Sequence, residues 1–468
     1  MIAFLMAESV VETLTITARL DRLPPSGFLR SLVVRISIGG FFELYDLFMT
    51  GYIAVGLIQA GIFKAAASNP MDVNAYAGFV ASGFAGMFVG TLVFSWFSDR
   101  YGRRAIFTFS LILYSFATLL MALMRSPIAI DLWRFICGLG IGVQLVTISS
   151  YLAEVTPKAA RGRYVALSQF ISYCAVPTVA AVSLLAIPRT ILALAGWRWV
   201  AILGAGGAIC AWPLWVRLPE SPRWLSAHRR DAEAEAITGE MERHVIAETG
   251  GPLPDPDRAT QADRQPKAAW KEIWHPAYLR RTFMLILFNI FQAIGFYGFA
   301  AWVPVLLLSE GIEVTKSLTY VLLIALLNPF GALLAMRYAD RFQRKWQIVA
   351  LALISAVCGL LWARQRSVSG IILFGAVITL ANSWFSCALH TYQTELYPTR
   401  IRAQAVGFVY SWSRFSSIFV GFLIARALHA YGTTGAFAIV AAAMFLAALV
   451  VGLLGPNSSG IALEEISH

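Results

Sequence analysis

Long apolar stretches alternate with short polar ones along almost the whole chain. A helix needs about 20 mostly apolar residues to cross the hydrocarbon core of a bilayer. Pro177, Pro188 and Pro304 predict kinks or helix ends in or beside such stretches. The pattern predicts an all-α membrane protein with twelve transmembrane helices, near residues 31–58, 75–97, 104–124, 129–152, 162–187, 196–217, 279–308, 315–338, 346–364, 368–392, 403–428 and 433–455.

A charged loop between the second and third stretches recurs later in the chain. The sequence GTLVFSWFSDRYGRR at 90–104 is matched 241 positions later by GALLAMRYADRFQRK at 331–345. YLAEVTPKAAR at 151–161 and YQTELYPTRIR at 392–402 share the same offset. Unrelated cationic loops would share the charge but not this register. We therefore infer two six-helix halves with the same direction, related by a pseudo-two-fold repeat.

One long polar interval separates the halves. Residues 218–278 are rich in Glu, Arg and Ala and are broken by GGPLPDPD at 250–257. This composition predicts short helices around a flexible middle. The expected domains are 1–217, a linker at 218–278, and 279–468. A surface helix is expected from about Ser9 to Leu23, ahead of the first span.

Composition and charge agree with a membrane protein. Hydrophobic residues make up 58% of the 468 residues and charged residues 13%. The net charge of +11 comes from 37 Lys and Arg against 26 Asp and Glu. Most of the cations fall in the segments on one side of the twelve spans, as the positive-inside rule describes. We therefore expect a plasma (inner) membrane location with both termini cytoplasmic, and no nucleic-acid partner.

No pattern indicates an enzyme or a cofactor. The five cysteines all fall in predicted spans without metal-ligand spacing, so neither a metal site nor a disulfide is expected. A nucleophile elbow and a phosphate-binding glycine loop are also missing from the sequence. GLGIG at 138–142 lies in an apolar helix and is interpreted as close helix packing.

The loop motifs carry a resemblance to the major facilitator superfamily of secondary transporters. Its loop signature is matched well by SDRYGRR at 98–104, and less well by the second copy. LPESPRWL at 218–225 resembles the signature that follows the sixth span in sugar porters and in organic-ion and metabolite–proton symporters. The resemblance covers nearly the whole chain and implies the major facilitator fold.

The resemblance also implies a cytoplasmic gate built from the repeated loops. Glu220 and Arg223 would join the cationic turns and Glu154 or Glu395 in a charge network that closes this side. The expected gate residues are Gly90, Asp99, Arg100, Arg103, Arg104, Glu154, Arg161, Glu220, Arg223, Asp340, Arg341, Arg344, Glu395 and Arg402.

Charges inside predicted spans cost about 2.5–3.5 kcal/mol on insertion scales, which marks them as functional candidates. Glu43 and Asp46 share one face of the first helix, and Arg134 lies in the fourth. Asp46 and Arg134 resemble the aspartate–arginine pair of sugar porters. An arginine that approaches the carboxyl would lower its pKa, so that the carboxyl gives up its proton. When the arginine withdraws, the pKa rises and the carboxyl can bind a proton again. A fixed ion pair, and Glu43 as the carrier or as a partner of Arg35, remain alternatives.

Arg414 lies midway along the eleventh span, twelve residues after Arg402. This resembles the eleventh helix of organic-anion and metabolite transporters, and a guanidinium binds a carboxylate with two hydrogen bonds. A snorkelling or ion-paired arginine is the alternative. Weaker candidates for substrate contact are the polar and aromatic residues Tyr45, Gln144, Asn289, Gln292, Tyr297, Asn328, Asn382, Trp384 and Tyr410 within the predicted spans.

Together these features predict a monomeric, proton-coupled symporter that imports a small organic acid, with aromatic carboxylates among the candidates, by alternating access. The proton would be the only coupling ion, and no cofactor is expected. A facilitator or exchanger of a neutral sugar or polyol is one alternative. A membrane sensor that binds a ligand without transporting it is another. The sugar-porter pattern of paired glutamines in the seventh helix is absent from FQAIGFYG at 291–298, which disfavours a hexose.

Overall fold

A computed structural model of the chain describes residues 15–63, 73–210, 212–255, 270–338, 341–397 and 399–457. The N-terminal half and the segment after it are built from eleven described helices. These are α1 (Ile16–Asp21), α2 (Gly27–Gln59), α3 (Val73–Tyr101), α4 (Arg103–Leu123), α5 (Pro127–Val155), α6 (Arg161–Tyr173), α7 (Ala175–Ala186), α8 (Gly196–Cys210), α9 (Trp212–Val216), α10 (Pro222–Ala227) and α11 (Asp231–Thr249).

The C-terminal half repeats this pattern of helices. A 3-10 turn, Trp270–Trp274, leads into it. Its described helices are α12 (Pro276–Ala300), α13 (Val303–Ser309), α14 (Val314–Ala325), α15 (Asn328–Tyr338), α16 (Arg344–Trp362), α17 (Val368–Glu395) and α18 (Thr399–Leu454).

Prolines and caps explain several of the helix boundaries. The fifth span breaks at Cys174, between α6 and α7, because Pro177 has no N–H to donate back to the preceding turn. Ser26 and Ser367 cap α2 and α17 by accepting from the amides of Leu29 and Gly370. The predicted breaks at Pro188 and Pro304 also coincide with helix boundaries, after α7 and at the start of α13.

The twelve-helix prediction is confirmed. Eleven described helices are long and apolar enough to cross a membrane, and the last of them covers Gln404–Leu454. A straight helix of 51 residues would be roughly 77 Å long, more than twice the hydrocarbon thickness of about 30 Å. Gly432 interrupts it with φ 65° and ψ −164°, so the segment forms two spans.

Among the described residues, the fold departs from all-α at one place. Strands β1 (Thr190–Ile191) and β2 (Leu194–Ala195) form a two-residue hairpin between the fifth and sixth spans. Leu192 and Ala193 make the turn with φ of 49° and 61°, the left-handed conformation that such tight hairpins require.

Equivalent contacts recur in both halves at an offset of 241 residues, which confirms the predicted repeat. Gly90 lies against Leu139 of α5, and Gly331 lies against Leu380 of α17. A Cβ on Gly331 would come within 2.8 Å of the Leu380 carbonyl oxygen, so both positions need glycine for close helix approach. The ion pairs Arg103–Glu154 and Arg344–Glu395 are likewise 241 positions apart.

In the described part of the chain, four pairs of helices make the main contacts between the two halves. Helix α3 packs against α18, α6 against α15, α7 against α14, and α2 against α13. Because successive spans alternate in direction, the repeated loops come to one side of the bundle, which we call the motif face. Helix α10 packs against α5, and α11 packs against α1 and α2, so the first part of the linker lies on the N-terminal half.

The expected surface helix is present but is not on the surface. Its residues 9–14 lie outside the described residues, and in α1 Ala18 and Leu20 are fully buried. Two basic side chains hold α1 against α11. Arg19 Nη2 donates to Glu242 Oε2 at 2.7 Å, and Arg22 Nη2 donates to Glu242 Oε1 at 2.8 Å.

Removing the Glu242 charge is expected to release α1. Burial opposes the charged form of Glu242, but hydrogen bonds from Arg19 and Arg22 outweigh it and lower its pKa. The stabilisation is therefore present above the ordinary pKa and is lost as the pH falls through the lowered value. Limited trypsin digestion at Arg19 and Arg22 should be several-fold faster in Glu242→Gln. The control Glu240→Gln, an exposed change on the same helix, should digest like the wild type; equal digestion of all three would contradict the role of Glu242.

Candidate functional site

The first buried polar cluster joins α2 and α5 within the N-terminal half. Arg134 Nη1 donates to Asp46 Oδ2 at 2.5 Å, and Nη2 donates to the Asp46 backbone carbonyl at 3.1 Å and to the Thr50 hydroxyl. Only 2% of Arg134 and 3% of Asp46 are exposed. The structure therefore brings these two predicted residues together; their part in proton coupling stays a prediction.

Besides Thr50, sequence reasoning missed two further partners of this pair. Thr118 on α4 donates to Asp46 Oδ1 at 3.0 Å, and the Cys137 thiol donates to Oδ2 at 3.3 Å. Cys137 follows Arg134 by three positions, so its place on the same helix face could have been found from the sequence. Thr118 carries no such signal, because its contact depends on how α4 packs.

Close packing of α3 on α5 fixes the arginine. A Cβ on Gly138 would lie 3.0 Å from the Met87 amide nitrogen, and one on Gly83 would lie 3.0 Å from Arg134 Nε. Glycine at these positions lets the two helices approach and gives the guanidinium its space. The GLGIG segment therefore lies at a close helix–helix contact, as the sequence predicts.

The second buried polar cluster lies in the C-terminal half around Arg414. Its Nη1 donates to the Tyr297 hydroxyl, and Nη2 donates to the Tyr410 hydroxyl at 3.3 Å. The guanidinium also lies 5.5 Å and 5.0 Å from the centres of these two rings. Arg414 is 2% exposed, so snorkelling to an interface is excluded in this state.

Two residues of the N-terminal half face this cluster. Glu43, 3% exposed, interacts electrostatically with Arg414 and with Tyr410. Tyr173, the last residue of α6, interacts electrostatically with Tyr297 and Tyr410. Asp46 and Glu43 therefore interact with different arginines, although they are only three residues apart on α2. Tyr173 was not predicted, because nothing in its local sequence indicates contact with the other half.

Aromatic and backbone contacts close the cleft around the cluster. The Phe84 and Tyr297 rings are 4.7 Å apart, and the Phe88 and Phe415 rings are 5.5 Å apart. On the side of the membrane away from the motif face, the Tyr76 hydroxyl donates to the Ala301 carbonyl at 2.6 Å. A cavity of about 40 Å³ lies between the halves and is lined by α2 and α7 on one side and by helices of the C-terminal half on the other.

The weaker candidates with amide side chains are all buried. Asn328 and Asn382 line the small cavity between the halves, and each accepts a hydrogen bond at 3.1 Å, from Ser383 and Ser355 respectively. Asn289 and Gln292 bond to each other at 3.4 Å on α12. The amide of Gln144 is buried and has no partner among the described residues.

Two aromatic candidates are held away from the Arg414 cluster. Trp384 donates its indole N–H to Gln347 at 3.1 Å and stacks on Tyr338 at 5.9 Å, which turns it toward the motif face. Tyr45 donates to the Val200 carbonyl at 3.0 Å, within the N-terminal half. Their part in substrate binding stays a prediction.

At the motif face, Glu220 acts as a helix cap. Its carboxylate accepts from the backbone amides of Arg103 and Arg104 at 2.9 Å and 3.2 Å. Gly102 has a φ of 101° and leaves the start of α4 without a side-chain cap of its own. The carboxylate from a distant segment therefore satisfies the exposed amides at the positive end of the helix.

The expected charge network has a different arrangement. Arg103 pairs with Glu154 at 3.0 Å, but Arg223 donates to Asp21 of α1 at 2.7 Å, and Arg161 also lies 3.8 Å from Asp21. Asp21, which was not predicted, is therefore the acidic partner of Arg223, where Glu154 or Glu395 was expected. Helix α1 provides this acid because its packing against the linker places Asp21 next to Arg223.

The remaining gate candidates occupy the ends of the helices. Arg100 and Arg341 lie 5.6 Å and 5.3 Å from the rings of Tyr101 and Tyr338. Arg402 donates to the Tyr397 carbonyl at 3.2 Å. Asp340 and the side chain of Asp99 lie outside the described part of the structure.

Comparison with known proteins agrees with this architecture. The family model described as sugar (and other) transporter matches residues 32–468. The chain is 33% identical to the metabolite transport protein YyaJ of Bacillus subtilis, covering 94% of this chain and 95% of that protein. It is 28% identical to the niacin transporter NiaP of Acinetobacter baylyi, with 96% and 99% covered, and 25% identical to the gallate transporter of Pseudomonas putida, with 88% of each covered.

A solved structure shares the fold. The partially occluded inward-open form of the xylose transporter XylE from E. coli superposes with a TM-score of 0.75 at 19% identity, covering 93% of this chain and 100% of that chain. The family and the relatives are transporters, so this chain is a multi-pass membrane transporter and not an enzyme. The chain has the fold of a major facilitator superfamily transporter, and the protein belongs to the sugar (and other) transporter family.

Proposed function

We propose that this protein is a proton-coupled symporter that imports a small organic acid, best an aromatic carboxylate. The observation that carries the proposal is a buried arginine, Arg414, held by two tyrosine hydroxyls in the cleft between the halves. Two relatives support the substrate class, because niacin and gallate, which name them, are both aromatic carboxylates.

Arg414 would bind the substrate carboxylate. Its guanidinium is directed by neutral hydroxyls, so its positive charge is available to an anion. Two parallel N–H donors match a carboxylate better than a hydroxyl, and the low dielectric of the cleft strengthens that contact. Phe84 and Phe296 lie beside Tyr297 and offer apolar surface for a ring. A neutral sugar would offer no negative charge to Arg414.

Glu43 would be the counter-charge of Arg414 when substrate is absent. A second carboxylate entering beside an ionised Glu43 would be repelled, so the charge of Glu43 opposes binding of the anion. Asp46 is the proposed proton site, and it takes the proton when helix movement separates it from Arg134. Coupling then follows because the transition is favourable only with both proton and anion bound.

The motif face is proposed to be cytoplasmic in the plasma membrane, since its loops are rich in Lys and Arg. The repeated ion pairs would stabilise the closed form of that side and break as the halves rock. The proposed protein acts as a monomer, because substrate would bind between the two halves of one chain.

Neutralising Glu43 is expected to strengthen binding of the anion at neutral pH. In Glu43→Gln the competing charge is gone while Arg414 remains, so the Kd for nicotinate should fall roughly tenfold. Isothermal titration of the purified protein at neutral pH measures this. Glu313→Gln, an exposed change, is the matched control, and weaker binding in Glu43→Gln would refute the counter-charge role.

The substrate class is tested by uptake into proteoliposomes under an inward proton gradient. The panel contains nicotinate, benzoate, an aliphatic acid, xylose and an organic cation, with protein-free liposomes as blank. Uptake of the aromatic acids above all others supports the proposal. Preferred uptake of xylose or of the cation contradicts it.

A further inference from the structure

A large cavity lies on the motif face of the N-terminal half, apart from the cleft between the halves. Its volume is about 950 Å³. Its walls come from α2, α4 and the end of the sixth span on one side, and from α11 on the other. Neither the family resemblance nor the proposed transport cycle assigns it a ligand.

The cavity is lined by four arginines and three glutamates, but the acids have other partners. Glu233 accepts from Arg230 at 2.6 Å, and Glu240 lies 3.9 Å from His244. Glu220 accepts from the backbone at the start of α4.

The three remaining arginines form a cationic wall. Arg35 lies on α2, Arg104 on α4 and Arg217 directly after α9. Arg104 donates to the Val216 carbonyl at 2.7 Å. In the described part of the chain, none of the three has a carboxylate within ion-pair distance. Their charges come from three different segments and converge on one space, which predicts an anionic ligand.

The position of the cavity indicates where that anion comes from. Ala105 and Val216 line the cavity and are exposed on the outer surface of the bundle. The apolar surface continues along the same helices through Phe109, Ile112 and Leu214, which are 44%, 45% and 41% exposed. The cavity therefore opens where the membrane helices meet the polar interface, and its rim continues into lipid-facing surface.

We propose that this cavity binds the phosphate of an anionic phospholipid headgroup, such as phosphatidylglycerol. Arg35, Arg104 and Arg217 hold the phosphate, and the acyl chains lie along Phe109 and Ile112. Basic cavities between membrane helices suit such headgroups because each cation near the membrane surface adds to the attraction. Helix α11 forms the far wall, so a bound lipid would also fix the linker helix against the bundle.

The test measures binding of single lipids to the purified full chain by native mass spectrometry, with phosphatidylglycerol and phosphatidylcholine compared. At about fivefold per arginine, the triple change Arg35→Gln, Arg104→Gln and Arg217→Gln should weaken phosphatidylglycerol binding on the order of a hundredfold. The matched control carries Arg163→Gln, Arg243→Gln and Arg280→Gln, which removes the same charge from exposed positions elsewhere. It should bind like the wild type.

A second variant distinguishes loss of lipid binding from misfolding. Arg35→Gln with Arg217→Gln keeps the Arg104 contact with Val216 and should weaken binding about twenty-fivefold without lowering the Tm of the lipid-free protein. Equal loss in the control, or equal binding of phosphatidylcholine, would overturn the proposal. Displacement of the lipid by millimolar inorganic phosphate would also overturn it, because the cavity would then be a site for a soluble anion.

Discussion

Replacing Arg414 with glutamine should reduce uptake of nicotinate by about a hundredfold or more. The substrate would lose two charge-assisted hydrogen bonds in a water-poor cleft, each worth about 1.5–3 kcal/mol. Initial uptake rates into proteoliposomes, at substrate concentrations well below KM, measure the loss. Arg414→Lys keeps the charge but loses the planar fork, so we expect an intermediate activity.

Two controls separate this effect from damage to the fold. Arg426→Gln changes an exposed arginine on the same helix, α18, and should leave uptake close to that of the wild type. The elution profile and Tm of Arg414→Gln show whether the bundle is intact. If a well-folded Arg414→Gln still takes up nicotinate at the wild-type rate, Arg414 is not the carboxylate anchor.

Asp46→Asn should abolish uphill accumulation while exchange of substrate across the membrane continues. Asparagine keeps the shape and a hydrogen-bond acceptor for Arg134 but cannot bind and release a proton. Under an inward proton gradient, the ratio of internal to external nicotinate should therefore fall from well above one to about one. Counterflow of labelled against unlabelled nicotinate should persist.

Asp131→Asn is the matched control, because it neutralises another acid at the start of α5, the helix of Arg134. It should accumulate substrate like the wild type. A facilitator of neutral solutes would give the same accumulation ratio with and without the Asp46→Asn change, and a sensor would show no uptake in any form. Continued accumulation by Asp46→Asn would move the proton site to another group, with Glu43 next to be tested.

The sequence predicts contacts within a half far better than contacts between halves. Apolar length and the 241-residue offset were sufficient to anticipate twelve spans in two repeated halves, because hydropathy and duplication can be read directly from the sequence. Asp46 and Arg134 are also brought together as expected. Each of these contacts depends on one bundle, whose helix order the repeat fixes.

Contacts that depend on how separate segments dock could not be derived in the same way. Glu220 caps α4 through backbone amides, and backbone donors leave no pattern in the sequence. Asp21 meets Arg223 because α1 is buried beneath the loop, which its short amphipathic sequence does not reveal. Tyr173 and Glu43 face the Arg414 cluster from the other half, and this contact depends on how the two bundles are oriented relative to each other.

The central claim is that a proton crosses with the organic acid through the cleft between the halves. Proteoliposomes containing a trapped pH-sensitive dye, with no initial pH gradient, test it when nicotinate is added outside. We expect rapid acidification of the lumen with the wild type, at a rate well above that of protein-free liposomes and of Asp46→Asn. Nicotinate uptake by the wild type without acidification above the protein-free rate would contradict the claim.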